Sequence, residues 1–254
     1  MLMVISPAKT LDFSPRDYSD FTIPAKLDQS QELVEQLREL SSADIGTLMK
    51  ISPKLSDLNY QRFQDFELPF STDNAKPALL AFKGDVYKGI DTATYEPEDL
   101  NFAQKHLRIL SGLYGILRPL DLMQPYRLEM GTKFKNSKGK NLYEFWGSQI
   151  AELVDEALEG QSENVLVNLA SNEYFKAIDK KQLQAKLLNI AFKEHKNGSY
   201  KVVAIHAKRA RGLMVDYVVR NRIETTEALK GFDSEGYTYR EDLSSESEWV
   251  FARG

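Results

Sequence analysis

Apolar runs and apolar stripes divide this chain into predicted strands and helices. Short apolar runs that end in polar loops predict buried strands at residues 2–5, 78–82 and 164–169. Apolar residues at helical spacing predict helices at residues 27–40, 42–50, 53–66 and 141–158. Because strands and helices are interleaved along the chain, the pattern predicts an α/β (mixed α+β) fold with helices around a mixed sheet.

Turn residues predict how the last third of the chain is connected. Asn197-Gly198 lies between apolar segments at 187–194 and 200–207, and Asn-Gly is a strong hairpin signal. The second segment is predicted to run into a helix over 208–223, and segments 237–240 and 249–251 predict a final hairpin. There is no internal repeat, low-complexity tract or long linker. We therefore predict one compact domain spanning residues 1–254.

The stretch from Asp99 to Gly131 carries the most unusual pattern. A helix is predicted to begin near Pro97, and it is followed by Leu-Ser-Gly-Leu-Tyr-Gly-Ile at residues 110–116. Glycines at 112 and 115 suit a tight turn that re-enters a helix, and free N–H groups at such a turn can hold a phosphate. The pattern resembles a helix-hairpin-helix DNA-binding motif, although Pro119 would cut the second helix short. The alternative is a helix that ends in a C-cap glycine followed by a packed turn.

Composition excludes several classes of protein. The 254 residues contain no cysteine, which excludes disulfides, thiolate catalysis and cysteine-ligated metal centres. The three histidines are scattered without metal-site spacing, so no metal is predicted. No glycine-rich nucleotide-binding loop occurs, so no cofactor is predicted. No apolar run reaches the roughly 18 residues typical of a membrane helix, and the first residues do not resemble a signal peptide. These features predict a cytoplasmic protein with no membrane partner.

Charge is segregated along the chain. The formal net charge is −4 overall, yet residues 105–140 carry +6 and residues 201–222 carry +5. Such segregation favours an anionic partner more than the overall composition does.

Individual cations suggest where the anion would bind. Lys208, Arg209 and Arg211 are predicted to begin a helix, where cations oppose the helix dipole unless an anion is bound. The alternative is compensation by nearby acidic loops. Lys9 and Lys83 each follow a predicted strand and suit contact with phosphate, or else they are solvated loop residues.

Seven segments of the sequence together resemble one family. They are ISPAKTLDF, AFKGDVYKG, LSGLYGILRPLDLMQPYRLEMGTK, NLYEFWG, NLASNEYFKAI, AKRARGLM and GFDSEGY. From Met1 to about Phe251 the chain resembles the bacterial YaaA family of peroxide-stress proteins. The resemblance implies a cytoplasmic protein that responds to hydrogen peroxide and limits free intracellular iron. It also implies a fold peculiar to the family and binding of double-stranded DNA through a basic cleft and a helix-hairpin-helix. It supplies no catalytic residues.

Two hypotheses follow. The first is binding of duplex DNA without sequence specificity, through Arg108, Gly112, Gly115, Arg118, Arg127, Lys133, Lys208, Arg209 and Arg211. The second is an enzyme acting on a small phosphorylated or carboxylated substrate, with Lys9, Lys83, Arg127, Glu129 and Lys208 in a pocket. Glu129 can also form a structural pair with Arg127. A long basic groove would favour DNA, and a narrow pocket with inward-facing lysine and glutamate would favour the enzyme.

Overall fold

Helices and strands alternate along residues 1–16, 18 and 20–254, which are the residues that the computed structural model describes. The helices are α1 (Leu27–Arg38), α2 (Ser42–Met49), α3 (Pro53–Asp65), α4 (Ala78–Ala81), α5 (Pro97–His106), α6 (Leu142–Trp146), α7 (Gln149–Leu158), α8 (Asn172–Phe175) and α9 (Ala204–Arg220). The strands are β1 (Leu2–Ile5), β2 (Thr10–Leu11), β3 (Lys76–Pro77), β4 (Phe82–Lys83), β5 (Leu107–Ser111), β6 (Gly115–Leu117), β7 (Leu122–Met123), β8 (Val165–Leu169), β9 (Lys186–Lys196), β10 (Ser199–Lys201), β11 (Thr238–Tyr239) and β12 (Glu248–Arg253). The predicted α/β class is confirmed.

The main sheet has the strand order β11-β12-β9-β8-β1-β5-β6, with β10 paired to the C-terminal end of β9. Strands β12, β9, β8, β1 and β5 are parallel to their neighbours in this order, whereas β11, β6 and β10 are antiparallel. Helices α5 and α7 contact β1, and α9 contacts β9. Every residue of β1 is buried, which explains why this central strand is a continuous apolar run.

The direction in which successive strands are added to the sheet reverses beside β1. After β1 the chain leads to its neighbour β5 on one side, and after β8 it leads to β9 on the other side. The loops that follow β1 and β8 therefore leave the sheet in opposite directions. In open α/β sheets such a switch point opens a crevice at the carboxyl ends of the strands, where ligands bind.

The helix-hairpin-helix predicted at residues 110–116 is wrong, because this segment is a β-hairpin. Helix α5 ends at His106, and β5 and β6 then pair antiparallel with Ile109 opposite Leu117. Residues 109–117 are all buried, and a segment without a polar face is stabilised in the sheet rather than in an exposed helical turn. Gly115 has φ +69°, a conformation that favours glycine at this turn. The packed turn of the alternative interpretation is also observed, although the helix ends well before Gly112.

A helical hairpin does occur earlier in the chain, between α2 and α3. Ser41 caps α2 through a capping box with Asp44, and Lys50 ends the helix in the left-handed conformation at φ 53°. Helix α3 begins at Pro53, after only Lys50, Ile51 and Ser52. Proline at the first helical position and a left-handed residue after α2 explain this tight connection.

Other boundaries differ from the predictions for local reasons. The helix predicted over 141–158 is divided at Gly147, whose φ of 50° separates α6 from α7. The strand predicted over 78–82 is mostly the single helical turn α4. The hairpin at Asn197-Gly198 is confirmed, and both residues have positive φ. Helix α9 begins at Ala204, so Lys208, Arg209 and Arg211 lie beyond its first turn and the helix dipole does not explain them.

Candidate anion-binding site

A cleft of about 630 Å³ opens at the carboxyl ends of β1 and β8. It lies at the switch point of the sheet, and its walls come from the loops after β1 and β8, the segment after β4, and α9. The lining residues are Ser6, Pro7, Ala8, Lys9, Thr10, Lys83, Gly84, Asp85, Val86, Tyr87, Lys88, Ser171, Glu173, Tyr174, Lys208 and Arg211.

Hydrogen bonds between two serines hold the loops of the sheet edge together. The Ser171 N–H donates to Ser6 Oγ at 2.8 Å, and the two hydroxyl oxygens are 3.3 Å apart. Ser171 also caps α8 by accepting from the Tyr174 N–H at 3.4 Å. These contacts fix the start of the loop that carries Lys9 relative to the helix that carries Glu173 and Tyr174.

Close backbone contact brings α9 to the opposite wall. A Cβ atom on Gly212 would lie 1.8 Å from the carbonyl oxygen of Val86, and one on Gly89 would lie 2.5 Å from that of Arg209. Only glycine permits this approach between α9 and the single 3₁₀ turn Tyr87–Gly89. The contact places Lys88, which precedes Gly89, on the same cleft as Lys208 and Arg211 of α9.

Three lysines of the cleft are paired with carboxylates. Their side chains are 63–65% exposed, so these ion pairs contribute only about 0–1 kcal/mol each. The pairs are Lys9–Glu129 at 2.9 Å, Lys83–Asp12 at 3.2 Å and Lys88–Asp85 at 3.1 Å.

Lys208 and Arg211 differ from the other cations of the cleft. Within residues 1–16, 18 and 20–254, neither side chain has an ion pair or a hydrogen bond. They lie three residues apart, on the same side of α9. The Nε atom of Arg211 is buried without an acceptor in this part of the chain, and burial lowers the pKa of its guanidinium.

Buried tyrosines line and underlie the inner part of the cleft. The Tyr87 hydroxyl donates to the carbonyl oxygen of Ser6 at 3.1 Å, and Tyr126 shares a 2.6 Å hydrogen bond with Ser111. Burial raises the pKa of Tyr87 and of Tyr174, so both hydroxyls are neutral near pH 7. The inner wall of the cleft is therefore apolar with hydroxyl groups rather than charged.

Glu129 links the cleft to cations outside it. Its Oε1 atom is 2.9 Å from Lys9 Nζ and 2.9 Å from Arg127 Nη2. The Arg127 side chain is 18% exposed, and its Nε atom is buried without an acceptor in the described part of the chain. Farther out, burial and then the charge of Arg127 lower the pKa of Arg62 on α3. The Arg127–Glu129 pair of the structural alternative is thus present, and it also holds Lys9.

Of the twelve residues predicted at the site, Lys9, Lys83, Lys208 and Arg211 line the cleft, while Arg127 and Glu129 adjoin it. The remaining predicted residues do not line it. Those residues are Arg108, Gly112, Gly115, Arg118, Lys133 and Arg209.

Four of these excluded residues have contacts that explain their absence from the cleft. Arg108 donates to the carbonyl oxygens of Gln104 and Leu107, and burial lowers its pKa to about 10. Arg118 pairs with Asp121 at 2.8 Å, and Arg209 pairs with Glu235 at 2.6 Å. Gly112 lies against the Leu128 backbone, where a Cβ atom would be 2.2 Å from a carbonyl oxygen.

Sequence reasoning missed Ser6, Lys88 and Tyr87 as lining residues. The segment AFKGDVYKG contains both Tyr87 and Lys88, and its two glycines were the available signal for close backbone contact. The partner of that contact is Gly212, more than 120 residues away in the chain, which no local pattern reveals.

Residues 1–16, 18 and 20–254 contain no group of three or more His, Asp or Glu side chains that could hold a metal ion. The helices within these residues also include none with the length and apolar character of a membrane span.

Known proteins match this chain along its whole length. A family model described as peroxide stress protein YaaA matches residues 1–243. A UPF0246 protein of Acaryochloris marina is 63% identical over 253 residues, covering 100% of both chains. A UPF0246 protein of Alteromonas mediterranea is 54% identical over 254 residues, covering 100% of this chain and 98% of its own.

Proposed function

Because the chain belongs to the peroxide stress protein YaaA family, we propose that it serves the peroxide stress response by binding duplex DNA through this cleft. Binding would be directed at backbone phosphates and would not depend on base sequence. Phosphate contacts supply affinity and position without reading the bases.

A run of cationic side chains that extends beyond the cleft is the observation that carries this proposal. Five members line the cleft, Glu129 links Arg127 to it by contacting both Lys9 and Arg127, and Arg62 is near enough to Arg127 for that charge to lower its pKa. The exposed lysine–carboxylate pairs within the run are weak, so phosphate groups can replace the carboxylates as partners. The members are Lys208, Arg211, Lys83, Lys88, Lys9, Arg127 and Arg62.

The helical hairpin formed by α2 and α3 supports the same proposal. The resemblance implies a helix-hairpin-helix element, and we assign that element to this hairpin instead of residues 110–116. Ser52 makes no side-chain cap and Pro53 has no N–H, so within the described part of the chain the N–H groups of Lys54 and Leu55 are free to donate to a phosphate. Lys50 and Lys54 are exposed beside them.

The link to free intracellular iron and DNA damage is part of the proposal in an indirect form. The described part of the chain has no cluster of three metal-ligating side chains. We therefore propose that the protein limits iron-dependent damage without storing iron itself. Anaerobic titration with Fe²⁺ is expected to give no stoichiometric binding, and saturable binding at one ion per chain would overturn this indirect form.

The salt dependence of binding tests the DNA proposal. Fluorescence anisotropy of a labelled duplex with hydroxyl ends is measured at increasing salt concentrations. Each neutralised phosphate contributes a slope of roughly −0.9 to log K against log salt, so at least three contacts predict a slope of about −3 or steeper. Affinity that is independent of salt, or no binding at low salt, would overturn the proposal.

A small anionic ligand is the second candidate, and the size of the cleft favours it. A volume of about 630 Å³ at a switch point of the sheet is typical of a small-molecule site. Glu129 and Lys9 would then belong to an enzyme acting on a phosphorylated or carboxylated substrate. Calorimetric titration with inorganic phosphate and citrate tests this candidate, and competition by either anion with the duplex would show whether the two ligands share the cleft.

A further inference from the structure

The balance of charge within the cleft is uneven. Lys9, Lys83 and Lys88 are each matched by a carboxylate within 3.2 Å. Lys208 and Arg211 have no such partner among residues 1–16, 18 and 20–254. Two uncompensated positive charges therefore lie side by side on α9, facing one cavity.

A phosphate monoester matches these two charges better than an internal phosphodiester does. A monoester carries close to two negative charges at pH 7 and presents three acceptor oxygens. A diester within a DNA strand carries one charge and is flanked by sugars on both sides. The Arg211 guanidinium presents a fork of N–H donors that suits two oxygens of one phosphate, and its buried Nε has no acceptor in the described part of the chain.

The remaining walls restrict what can enter. Asp85 and Glu173 also face the cleft and oppose an anion that does not reach both cations of α9. Glu173 is held in place because its Oε1 accepts from the Gly131 N–H at 2.9 Å. Pro7 and Val86 supply apolar surface on which a sugar or a base can rest. A cavity of about 630 Å³ is of the size that holds a small ligand or the end of a strand.

We propose that the part of the cleft at Lys208 and Arg211 is a binding pocket for a phosphate monoester, such as the terminal phosphate of a DNA strand or a free nucleotide. This inference rests on the proposed anion-binding function of the cleft and specifies its ligand. The protein would then make one contact with a terminal phosphate and sequence-independent contacts with the rest of the duplex.

The experiment compares two duplexes of identical sequence. One carries phosphate at all its 5′ and 3′ ends, and the other carries only hydroxyl groups there. We expect the phosphorylated duplex to bind at least tenfold more tightly at the same salt concentration. Equal affinity for the two duplexes would overturn the pocket while leaving the proposed binding of DNA intact.

A nucleoside 5′-monophosphate in the same assay distinguishes the two sources of the phosphate. If neither duplex binds but the mononucleotide does, the proposed DNA function fails and the pocket stands with a free nucleotide as its ligand. If the mononucleotide competes only weakly with the phosphorylated duplex, the strand end is the ligand. If no probe with a terminal phosphate binds better than its hydroxyl counterpart, the pocket is wrong.

Matched glutamine variants assign the preference to the two cations. Lys208→Gln and Arg211→Gln are each expected to remove most of the tenfold preference for terminal phosphate. Lys186→Gln removes one charge at the amino ends of β8 and β9, the edge of the sheet opposite the cleft, and should keep the preference. Thermal melting confirms folding, and exposed Lys208 provides the test if the Arg211 variant does not fold. A preference that survives in both cleft variants would contradict the assignment.

The pH dependence of the preference gives an independent measurement. A monoester takes up a proton near pH 6, whereas a diester does not. Asp85, Glu173 and the cleft cations act on both duplexes, so the ratio of the two affinities isolates the terminal phosphate. We expect the ratio to fall as the pH is lowered from 7.5 to 5.5, and a constant ratio would overturn the proposal.

Discussion

The β5–β6 hairpin and the first half of α9 contain similar residues and have opposite environments. Each combines arginine with glycine that touches a neighbouring backbone, and each suggests an anion site when the sequence is considered alone. In the hairpin, the turn is buried and Trp146 Nε1 donates to the carbonyl oxygen of Gly112 at 3.1 Å. In α9, the same kind of glycine contact leaves Lys208 and Arg211 facing a cleft.

This comparison shows that a glycine pattern reports close packing and not the nature of what is packed. In the hairpin, apolar neighbours close the turn to a ligand, because Leu110, Leu113 and Tyr114 are fully buried and exclude solvent from it. In α9 the neighbours are charged, because the cleft cations Lys208 and Arg211 directly follow the buried Ala207 and Ala210. Substitutions in the two regions should therefore separate stability from binding.

The largest expected effect is on stability, from Gly115→Val. Gly115 has φ +69°, where a side chain costs about 1–2 kcal/mol, and its Cβ would lie 2.8 Å from the Trp146 ring. Overpacking adds roughly 1–3 kcal/mol, so chemical denaturation should detect a loss of about 3 kcal/mol in the free energy of unfolding. The affinity of the folded fraction for DNA should not change.

Gly160→Val provides the matched control for this substitution. Gly160 has φ +77°, and no atom of the described residues lies within 4 Å of its Cβ position, so it carries the backbone strain without the clash. The difference between the two variants measures packing against Trp146. A loss of DNA affinity without a loss of stability in Gly115→Val would restore the hairpin as a phosphate site.

The second effect, from Gly212→Ala, should appear in both measurements. The new Cβ would lie 1.8 Å from the Val86 carbonyl oxygen, so the turn that carries Tyr87 and Lys88 must move away from α9. We expect a loss of roughly 1–3 kcal/mol in stability from overpacking. DNA affinity should also fall, because the two walls of the cleft separate. Unchanged affinity at reduced stability would show that this contact does not shape the binding site.

The sequence was sufficient wherever local patterns determined the structure. Strand β1, helices α1 to α3 and the Asn197-Gly198 hairpin follow from apolar runs, apolar stripes and turn residues. The sequence was insufficient where the structure depends on contacts between residues that are distant in the chain. Trp146 closes the β5–β6 hairpin, and Gly212 brings α9 to Lys88. Lys9 was predictable as a cleft residue, because it follows β1, whose carboxyl end borders the switch point of the sheet. Lys83 also lines the cleft, but it ends β4, which pairs with β2 outside the main sheet.

A third and smaller effect concerns one charge of the cleft. Lys208→Gln removes a single exposed cation without a carboxylate partner in the described part of the chain. If it contacts a phosphate, the slope of log K against log salt for the hydroxyl-ended duplex should become less negative by about 1. Lys186→Gln, at the opposite edge of the sheet, should leave the slope unchanged. Equal slopes in all three proteins would place the DNA elsewhere.

The smallest effect is a pH dependence of stability beside the hairpin. His106 is the last residue of α5, its ring stacks on Phe102 at 4.1 Å, and its Nδ1 donates to the carbonyl oxygen of Met1 at 3.1 Å. Burial lowers its pKa from the ordinary value of 6.5, so the unfolded chain binds a proton more readily than the folded chain. Its stabilising contribution is therefore complete above pH 6.5 and declines as the pH falls toward the lowered pKa of the folded state.

Urea denaturation of the wild type and of His106→Gln at pH 7.5 and 5.5 should show a larger loss of stability in the wild type. DNA affinity should be the same for both proteins at each pH, because His106 does not line the cleft. Equal losses of stability would mean that His106 titrates alike in the folded and unfolded chains, and a difference in affinity would mean that the hairpin region and the cleft are coupled.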